Sequence, residues 1–375
     1  MVSQQKKVKF VDLYKINKPF KKKILKNIAE IIDNSDFING KYVKKFEKAF
    51  ANINKIKYCQ SCANGTDALY VSLKALNVSI GDEVILSAHD WISSSEAVLA
   101  CGAKPVFIDT KKNSFLIDEN KIEESITHKT KAIIIVHIYG QVVDLSKIIN
   151  IVKKYNIKII EDCAQAHLAN YKKKYVGTIG DIGCFSFFPT KNLGAFGDAG
   201  AIITKDFKIY KKIKMICNHG GLKKNQHLIK GINSRMDTIQ ASILLEKLKL
   251  LKKGNKIRRT KAKFYINLFK KIRNVTILEE TNIDQDHVYH LFVLLVKNRN
   301  ELRQHLKKSG IQNLVHYPKP IPFIPVNKSL NHKSHNFKNV NKLKKQIISI
   351  PFHPNISYFE MKKTASMIFK FYQND

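Results

Sequence analysis

The chain has 375 residues, 44% of them hydrophobic, which is enough for a substantial core and for two domains. Its formal net charge of +36 invites a nucleic-acid function, but only six of the 66 basic residues are arginines and the lysines are spread along the whole chain. Without a basic tail or an arginine-rich patch, this charge indicates a lysine-biased surface and no nucleic-acid partner. No apolar stretch is long enough for a signal peptide or a membrane span, so we expect a cytoplasmic protein that does not bind membranes.

The six cysteines are too sparse for a disulfide framework. Cys59 and Cys62 form the motif CQSC, which could be a redox pair or half of a zinc site. The sequence has no second such motif and no histidine pair at metal-ligand spacing. We therefore expect both cysteines to be packing residues, and we expect no metal.

From about residue 56 to residue 205, short apolar runs alternate with helical patterns, such as residues 66–76 and 144–155. The runs are rich in Ile, Val and Phe and nearly continuous, as in strands that are buried on both faces. This alternation predicts an α/β domain with a mainly parallel sheet. The predicted strands are residues 82–88, 104–110, 132–140, 157–163, 184–188 and 200–204.

Residues 236–254 predict one long amphipathic helix that ends at Gly254. Its apolar positions fall on one helical face. They are Met236, Ile239, Ile243, Leu244 and Leu248.

Beyond this helix the sequence becomes richer in lysine and less regular. Residues 287–296 predict a strand, and residues 315–326 predict a proline-punctuated loop that cannot be a central strand. We therefore predict a domain boundary near residue 252. It separates a large domain of residues 1–252 from a small domain of residues 253–375.

Gly65 and Thr66 begin a predicted helix in the stretch NGTDAL. Free amides at a helix N-terminus bind phosphate well, and the Thr66 hydroxyl can add a hydrogen bond. An ordinary capped helix is the alternative. Trp91 follows the predicted strand 82–88, where an aromatic side chain can either stack on a flat ligand ring or pack in the core.

Asp162 lies at the carboxyl end of the predicted strand 157–163, the edge where ligands bind in open α/β sheets. Its carboxylate could pair with a protonated pyridine nitrogen, or it could cap the next segment. Lys191 follows the predicted strand 184–188 and precedes a glycine-rich turn. A desolvated lysine there can form a Schiff base with an aldehyde, whereas an exposed turn lysine is the alternative.

Together these features supply a phosphate cradle, a stacking ring, a partner for a pyridinium and a Schiff-base lysine, which pyridoxal 5′-phosphate (PLP) requires. From residue 64 to about residue 318 the chain resembles the DegT/DnrJ/StrS group of nucleotide-sugar aminotransferases, in stretches such as NGTDAL, EDCAQAH, GCFSFFPTKNLGAFGDAGAIIT, INSRMDTIQASIL, VYHLFVLLV and VHYP. The resemblance implies a fold type I PLP-dependent transferase of α/β class. Such a fold has a large domain with a mainly parallel central sheet flanked by helices, and a smaller C-terminal α+β domain on which the N-terminal segment can pack.

The resemblance also implies roles around the cofactor ring. Lys191 resembles the lysine that carries the cofactor as a Schiff base, and Asp162 resembles the partner of the pyridine nitrogen. Gln165 resembles the residue beside the ring hydroxyl, and Trp91 occupies the place of the stacking aromatic.

At the cofactor phosphate, Gly65, Thr66 and Ser186 resemble the ligands from the same subunit. Asn233 resembles an asparagine that reaches the phosphate from the neighbouring subunit, which implies a homodimer with shared active sites. His316 and Tyr317 are candidates for lining the sugar pocket, with loop packing as the alternative.

Two positions depart from the family pattern: Leu168 replaces a glycine or alanine, and Ala199 replaces a glycine. Relatives that dehydrate their substrate replace the lysine with histidine, whereas this chain keeps Lys191. The resemblance implies transfer of an amino group from L-glutamate to a keto-sugar linked to a nucleoside diphosphate, for amino sugars of glycans, lipopolysaccharide or secondary metabolites. A dehydratase-like PLP relative and a non-catalytic regulatory homologue stay open as alternatives.

Overall fold

The computed structural model describes residues 7–223, 225–277 and 285–373. Its α-helices are α1 (Leu13–Asn17), α2 (Lys21–Asp33), α3 (Lys41–Ile53), α4 (Gly65–Ala75), α5 (Ser93–Ala100), α6 (Ser146–Lys154), α7 (Phe207–Cys217), α8 (Thr238–Leu248), α9 (Leu251–Phe269), α10 (Arg299–Lys308), α11 (Lys338–Leu343) and α12 (Tyr358–Gln373). Its strands are β1 (Tyr58–Cys62), β2 (Glu83–Ser87), β3 (Lys104–Ile108), β4 (Thr130–Val136), β5 (Lys158–Asp162), β6 (Asn170–Tyr171), β7 (Lys174–Tyr175), β8 (Ile182–Ser186), β9 (Gly200–Thr204), β10 (Val275–Ile277), β11 (Gln285–Asp286), β12 (Phe292–Val296) and β13 (Ile347–Ile350). Short 3₁₀ turns cover Lys18–Phe20, Glu119–Lys121, Glu123–Ser125, Ile138–Gly140, Ile321–Phe323, Pro325–Leu330 and Ser334–Phe337.

A seven-stranded sheet forms the centre of the fold, in the order β1-β9-β8-β5-β4-β2-β3. Strands β8, β5, β4, β2 and β3 pair in parallel, and β9 runs antiparallel between β1 and β8. Strands β2 and β9 are buried at every position, as expected for strands that are covered on both faces. The predicted α/β fold with a mainly parallel central sheet is therefore confirmed.

The parallel pairing brings the carboxyl ends of several strands to one edge of this sheet. Strand β1 has the same direction as β8 because both pair antiparallel to β9. The segments that follow β1, β2, β5 and β8 therefore meet at this edge, which is where open α/β sheets bind ligands.

A second sheet, β10-β12-β13, is antiparallel. Its middle strand separates two hydrophobic clusters because successive side chains of a strand point to opposite faces. Val293 and Leu295 belong to the cluster around the central sheet, whereas Phe292 and Leu294 belong to a cluster that includes residues of α9, α10 and α12.

The N-terminal segment lies against this second cluster. Val8 is buried in it and forms a parallel bridge with Ile311, with the Val8 amide donating to the Gly310 carbonyl at 2.9 Å. The two clusters support a division into a large and a small domain, although residue 252 lies inside α9 and not in a linker. The boundary near residue 252 stays a prediction.

The prediction of a single helix over residues 236–254 is wrong. The chain forms α8 and α9 with Lys249 and Leu250 between them, and Gly254 lies in the first turn of α9. Gly254 faces open space and its amide donates to the Leu250 carbonyl at 2.8 Å, so this glycine does not end the helix. The helical period continues in the buried positions Arg258, Ala262, Tyr265 and Phe269.

The predicted strands 132–140 and 287–296 are both longer than the observed ones. Strand β4 ends at Val136 and a 3₁₀ turn follows, while β12 begins only at Phe292. The amides of Val288 and His290 donate to the carbonyls of Gly140 and Tyr139, at 3.0 and 2.8 Å. These bonds hold the segment before β12 against the turn after β4, outside the ladder of the small sheet.

Cys59 and Cys62 both lie on β1, three positions apart, so their side chains point to opposite faces. Both thiols are free and buried, and burial raises their pKa well above the usual value. These observations support the packing interpretation of CQSC. Separately, none of the helices in the described ranges has the length and apolar character that crossing a bilayer requires.

Candidate active site

A cavity of about 740 Å³ opens at the carboxyl edge of the central sheet. It contains nine of the ten residues that the sequence nominates for the site; the exception is Asn233. The nine residues are Gly65, Thr66, Trp91, Asp162, Gln165, Ser186, Lys191, His316 and Tyr317.

The N-terminus of α4 forms one wall of this cavity. Asn64 caps the helix with its side chain, and the hydroxyls of Thr66 and Ser93 lie 2.7 Å apart. Ser186, the last residue of β8, lies directly against Gly65, because a Cβ atom on that glycine would be 2.6 Å from the Ser186 Cβ. The arrangement gathers free helix amides and three hydroxyls, which suits a phosphate.

Lys191 lies in the turn that follows β8, where its amide donates to the Phe188 carbonyl at 2.9 Å. Burial lowers the pKa of its ammonium, while the carboxylates of Asp162 and Asp90 raise it in part. In the described ranges, no carboxylate oxygen lies within 4.0 Å of the Lys191 Nζ, which is the limit for an ion pair. An amine with a lowered pKa and no ion-pair partner can act as a nucleophile.

Asp162 ends β5 and is buried. Its Oδ1 accepts a hydrogen bond from the Ala164 amide at 2.9 Å. Burial raises the pKa of this carboxyl, and the Ala164 amide, Lys191 and His137 oppose that rise. A cationic group of a ligand would stabilise the ionised form.

Gln165 connects Tyr317 of the cavity to Tyr139, which is buried behind it. Its Oε1 accepts from the Tyr139 amide at 2.6 Å, and its Nε2 donates to the Tyr317 hydroxyl at 3.0 Å. The Tyr139 hydroxyl in turn donates to the His316 carbonyl. The Tyr317 ring lies 5.6 Å from that of Trp91, which is 55% exposed and therefore free to cover a ligand ring.

The cavity residues that the sequence reasoning missed include two buried titratable ones, Asp90 and His290. Asp90 is buried, and in the described part of the chain its Oδ2 has no hydrogen-bond partner. Burial, and after it the charge of Asp162, raises the pKa of Asp90 well above the usual value. Asp90 follows the predicted strand 82–88 and precedes Trp91, and this position could have suggested Asp90 as a site residue.

His290 is the second missed residue. It is buried, and its Nδ1 lacks a partner among the described residues. Burial lowers the pKa of His290 well below the usual value and that of His316 to about 4, so both imidazoles are neutral at pH 7. No sequence signal could have placed His290 here, because a strand was predicted over its position.

Asn233 is exposed and lies outside this cavity. Its neighbour Ser234 holds this segment beside α4, because the Ser234 hydroxyl donates to Asp67 at 2.6 Å and accepts from the Ala63 amide at 3.1 Å. The predicted reach of Asn233 into the site of a second subunit stays a prediction.

The two departures from the family pattern are both buried and do not line the cavity. Leu168 has a φ of +57°, a left-handed conformation that favours glycine. A glycine would adopt this conformation without the strain that a leucine side chain brings.

His137, Glu161 and Cys163 form a buried cluster close to this edge of the sheet, with ligand atoms close enough together to hold a metal ion. The Glu161 carboxylate is already saturated with hydrogen bonds. Its donors are the amides of Gly177, Ile179 and Gly180, at 2.7–2.9 Å, and His137 Nε2 at 3.1 Å. We therefore interpret the cluster as a structural anchor of the loop before β8.

Residues 19–368 match the DegT/DnrJ/EryC1/StrS aminotransferase family. The chain is 40% identical over 365 residues to a dTDP-3-amino-3,6-dideoxy-alpha-D-galactopyranose transaminase of Aneurinibacillus thermoaerophilus, covering 96% of this chain and 98% of the relative. It is 37% identical over 368 residues to a pleiotropic regulatory protein of Geobacillus stearothermophilus, covering 98% and 99%. Its fold matches the crystal structure of S. venezuelae DesV in complex with a ketimine intermediate, with a TM-score of 0.95 and 31% identity over 98% of this chain and 99% of DesV. The chain therefore belongs to the DegT/DnrJ/EryC1/StrS aminotransferase family.

Proposed function

We propose that this protein is a PLP-dependent aminotransferase that moves an amino group from L-glutamate to a keto-sugar linked to a nucleoside diphosphate. The observation that carries the proposal is the position of Lys191. It lies in a turn at the sheet edge with a lowered pKa and with no ion pair to any residue that the structure describes, in one cavity with Asp162 and the N-terminus of α4.

The donor set fits PLP. Gly65, Thr66 and Ser186 would hold its phosphate, and Asp162 would pair with its ring nitrogen. The absent side chain of Gly65 matters for this fit, because a Cβ there would collide with Ser186 and displace the helix amides. When bound, PLP supplies an electron sink for breaking bonds at the amino-bearing carbon.

Lys191 and Asp162 have separate roles in the reaction. The Lys191 amine is the base that removes a proton from the substrate carbon and returns it to the other reacting carbon. The buried Asp162 carboxylate would keep the ring nitrogen of the cofactor protonated. The attraction between the two charges is stronger in a site of low dielectric constant.

The aromatic side of the cavity positions the ligand. Trp91 would stack on the ring, and Gln165, which is held by the Tyr139 amide, would lie beside the ring hydroxyl. His316 and Tyr317, which line the same cavity, would contact the sugar. The neutral imidazole of His316 can accept or donate a hydrogen bond to a sugar hydroxyl without attracting a counter-ion.

The substrate class is supported by the relative that is a dTDP-amino-sugar transaminase at 40% identity. We extend the proposal to a cytoplasmic enzyme of amino-sugar biosynthesis for glycans, lipopolysaccharide or secondary metabolites. We also propose a homodimer in which Asn233 of one subunit reaches the phosphate site of the other, because its exposed position outside its own cavity is compatible with a role in trans.

A regulatory role is the second candidate, since one relative is named a pleiotropic regulatory protein. The presence of Lys191 and Asp162 in one cavity argues for catalysis, because a binding module has no need of a desolvated amine. Lys191 likewise argues against the dehydratase-like alternative, for which the family pattern has histidine.

The experiment follows the conversion of glutamate to 2-oxoglutarate with nucleotide-linked 3-keto and 4-keto sugars and with the free keto-sugars side by side. The proposal predicts a clear preference for the nucleotide-linked acceptors, because binding energy remote from the reaction improves kcat/KM. Equal use of both, or a preference for ordinary 2-keto acids, would leave only a general PLP aminotransferase. No turnover with any acceptor would favour the regulatory role.

A further inference from the structure

Asp90 lines the active-site cavity with an incomplete set of hydrogen bonds. It shares this cavity with Asp162 and Lys191, and only 6% of its surface is exposed. In the described part of the chain its Oδ2 has no hydrogen-bond partner. Buried polar atoms in proteins are almost always paired, so an unpaired oxygen in the wall of a cavity indicates a group whose partner is supplied by a ligand.

The neighbours of Asp90 indicate which part of the ligand supplies this partner. Trp91, the next residue in the chain, is the side chain proposed to stack on the cofactor ring. Burial, and after it the charge of Asp162, raises the pKa of Asp90, while the Ser94 hydroxyl, the Trp91 amide and the Lys191 charge oppose that rise. Trp91 and Asp162 are both assigned to the ring, and Asp162 to its nitrogen. The unpaired oxygen therefore belongs to the nitrogen end of the ring.

The titratable groups around Asp90 include more acids than cations. Asp162 on β5 and Lys191 in the turn after β8 both act on its charge. Burial raises the pKa of the Tyr139 and Tyr317 hydroxyls, and the charge of Asp90 adds to that rise. Of these four groups, Lys191 is the cation and the other three are acids. A ligand with a second positive centre would compensate a second carboxylate here.

We propose that Asp90 is a second carboxyl partner of the PLP ring nitrogen, beside Asp162. The inference rests on the proposed function, which assigns Asp162 to that nitrogen. It makes Asp90 a cofactor-binding residue whose protonation changes when the cofactor binds. In the empty cavity Asp90 holds a proton, because a buried carboxyl next to the charge of Asp162 resists ionisation.

The proton of Asp90 is accounted for when the cofactor binds. The O–H bond of Asp90 breaks, and the proton moves to the ring nitrogen if that atom arrives unprotonated, or to the solvent if it arrives as a pyridinium. In either case the Asp90 carboxylate then faces a cation, which stabilises its ionised form. The wild type therefore releases about one proton more, or takes up about one fewer, than a variant that cannot ionise at this position.

Calorimetry of PLP binding in two buffers of different ionisation enthalpy counts these protons. The comparison uses wild type, Asp90→Asn and Asp198→Asn at pH 7. Asparagine keeps the shape of Asp90 but cannot ionise, and Asp198→Asn is the matched control because Asp198 is an exposed carboxyl that lines the same cavity. The wild type and Asp198→Asn should both release about one proton more than Asp90→Asn.

The same linkage makes the affinities of wild type and Asp90→Asn diverge with pH. Because the wild type releases the additional proton, its PLP affinity relative to that of Asp90→Asn should increase as the pH rises, by up to about tenfold per pH unit. A PLP analogue with carbon in place of the ring nitrogen should abolish both differences, because it offers no cation at that position. A merely structural role of Asp90 would affect the binding of both ligands equally.

Equal proton release by wild type and Asp90→Asn would overturn the assignment of Asp90 and leave the aminotransferase function intact. The assignment also fails if the carbon analogue gives the same difference as PLP, or if Asp198→Asn behaves like Asp90→Asn. If Asp90→Asn binds PLP too weakly for calorimetry, yet melts cooperatively and binds the analogue like the wild type, the assignment is supported. A wild type that binds no PLP would contradict the proposed function itself.

Discussion

A Cβ atom on Gly65 would lie 2.6 Å from the Cβ of Ser186, closer than two side chains can approach. This contact joins the first residue of α4 to the last residue of β8, and both belong to the predicted phosphate site. The close approach of helix and strand is therefore possible only with glycine at this position.

Gly65→Ala should consequently weaken PLP binding by about fivefold to a hundredfold, since overpacking of a tight contact costs about 1–3 kcal/mol. Titration of the cofactor followed by absorbance measures the affinity. Gly254→Ala is the matched control, because Gly254 faces open space in α9 and alanine there should stabilise the protein by about 0.5–1 kcal/mol. Unchanged PLP affinity in Gly65→Ala would remove this residue from the phosphate site.

Asp90→Asn should raise the melting temperature of the cofactor-free protein at pH 7. Burial raises the pKa of Asp90 in the folded protein, so the folded state binds more protons than the unfolded state and stability falls as the pH rises above the ordinary carboxyl pKa. The asparagine amide of the variant does not ionise, so the variant lacks this fall in stability. The gain should be largest at neutral pH and should disappear near pH 4, which a series of thermal melts can measure. A variant that is destabilised equally at both pH values would show that the carboxyl is instead well solvated.

Lys247→Met should flatten the pH dependence of stability in alkali. Lys247 is buried, and its Nζ donates to Asn17 at 2.9 Å and to the Gly194 carbonyl in the turn after Lys191. Burial lowers its pKa to about 8 from 10.5, so the unfolded state binds more protons between these values and stability rises with pH there, by about 3 kcal/mol.

Denaturant unfolding between pH 8 and pH 10.5 measures this slope for Lys247→Met against wild type. Lys253→Met, which removes an exposed lysine of α9, is the control and should follow the wild type. Identical slopes for wild type and Lys247→Met would contradict the shifted pKa of Lys247.

The sequence predicted the frame of the site because the apolar strands and the polar residues that follow them are adjacent in the chain. Asp162 and Lys191 could be placed in this way, because Asp162 is the last residue of β5 and Lys191 lies in the turn that follows β8. His290 could not be predicted, because it reaches the cavity through hydrogen bonds to the turn around Tyr139, which is far away in sequence. The break between α8 and α9 was missed because neither proline nor glycine stands at Lys249 and Leu250, where the two helices separate.

Mixing inactive Lys191→Ala and Asn233→Ala subunits should restore part of the activity if the sites are shared between two subunits. One site of the mixed dimer then combines an intact Lys191 with an intact Asn233 from its partner, and closed two-fold dimers are the commonest oligomers. The measurement is the aminotransfer rate after subunit exchange, with each variant alone as the control. A fully active monomer would contradict the shared site.

Borohydride reduction of the PLP-loaded protein, followed by peptide mapping, tests the central claim most directly. The protein should absorb in the visible range, and reduction should fix the cofactor covalently on the peptide that contains Lys191. Lys191→Ala should fold normally, since a turn residue contributes little to the core, and it should lose both the label and the activity. With 60 lysines among the 66 basic residues, chance labelling would spread over many peptides. A label on any other single lysine, or full activity in Lys191→Ala, would contradict the account.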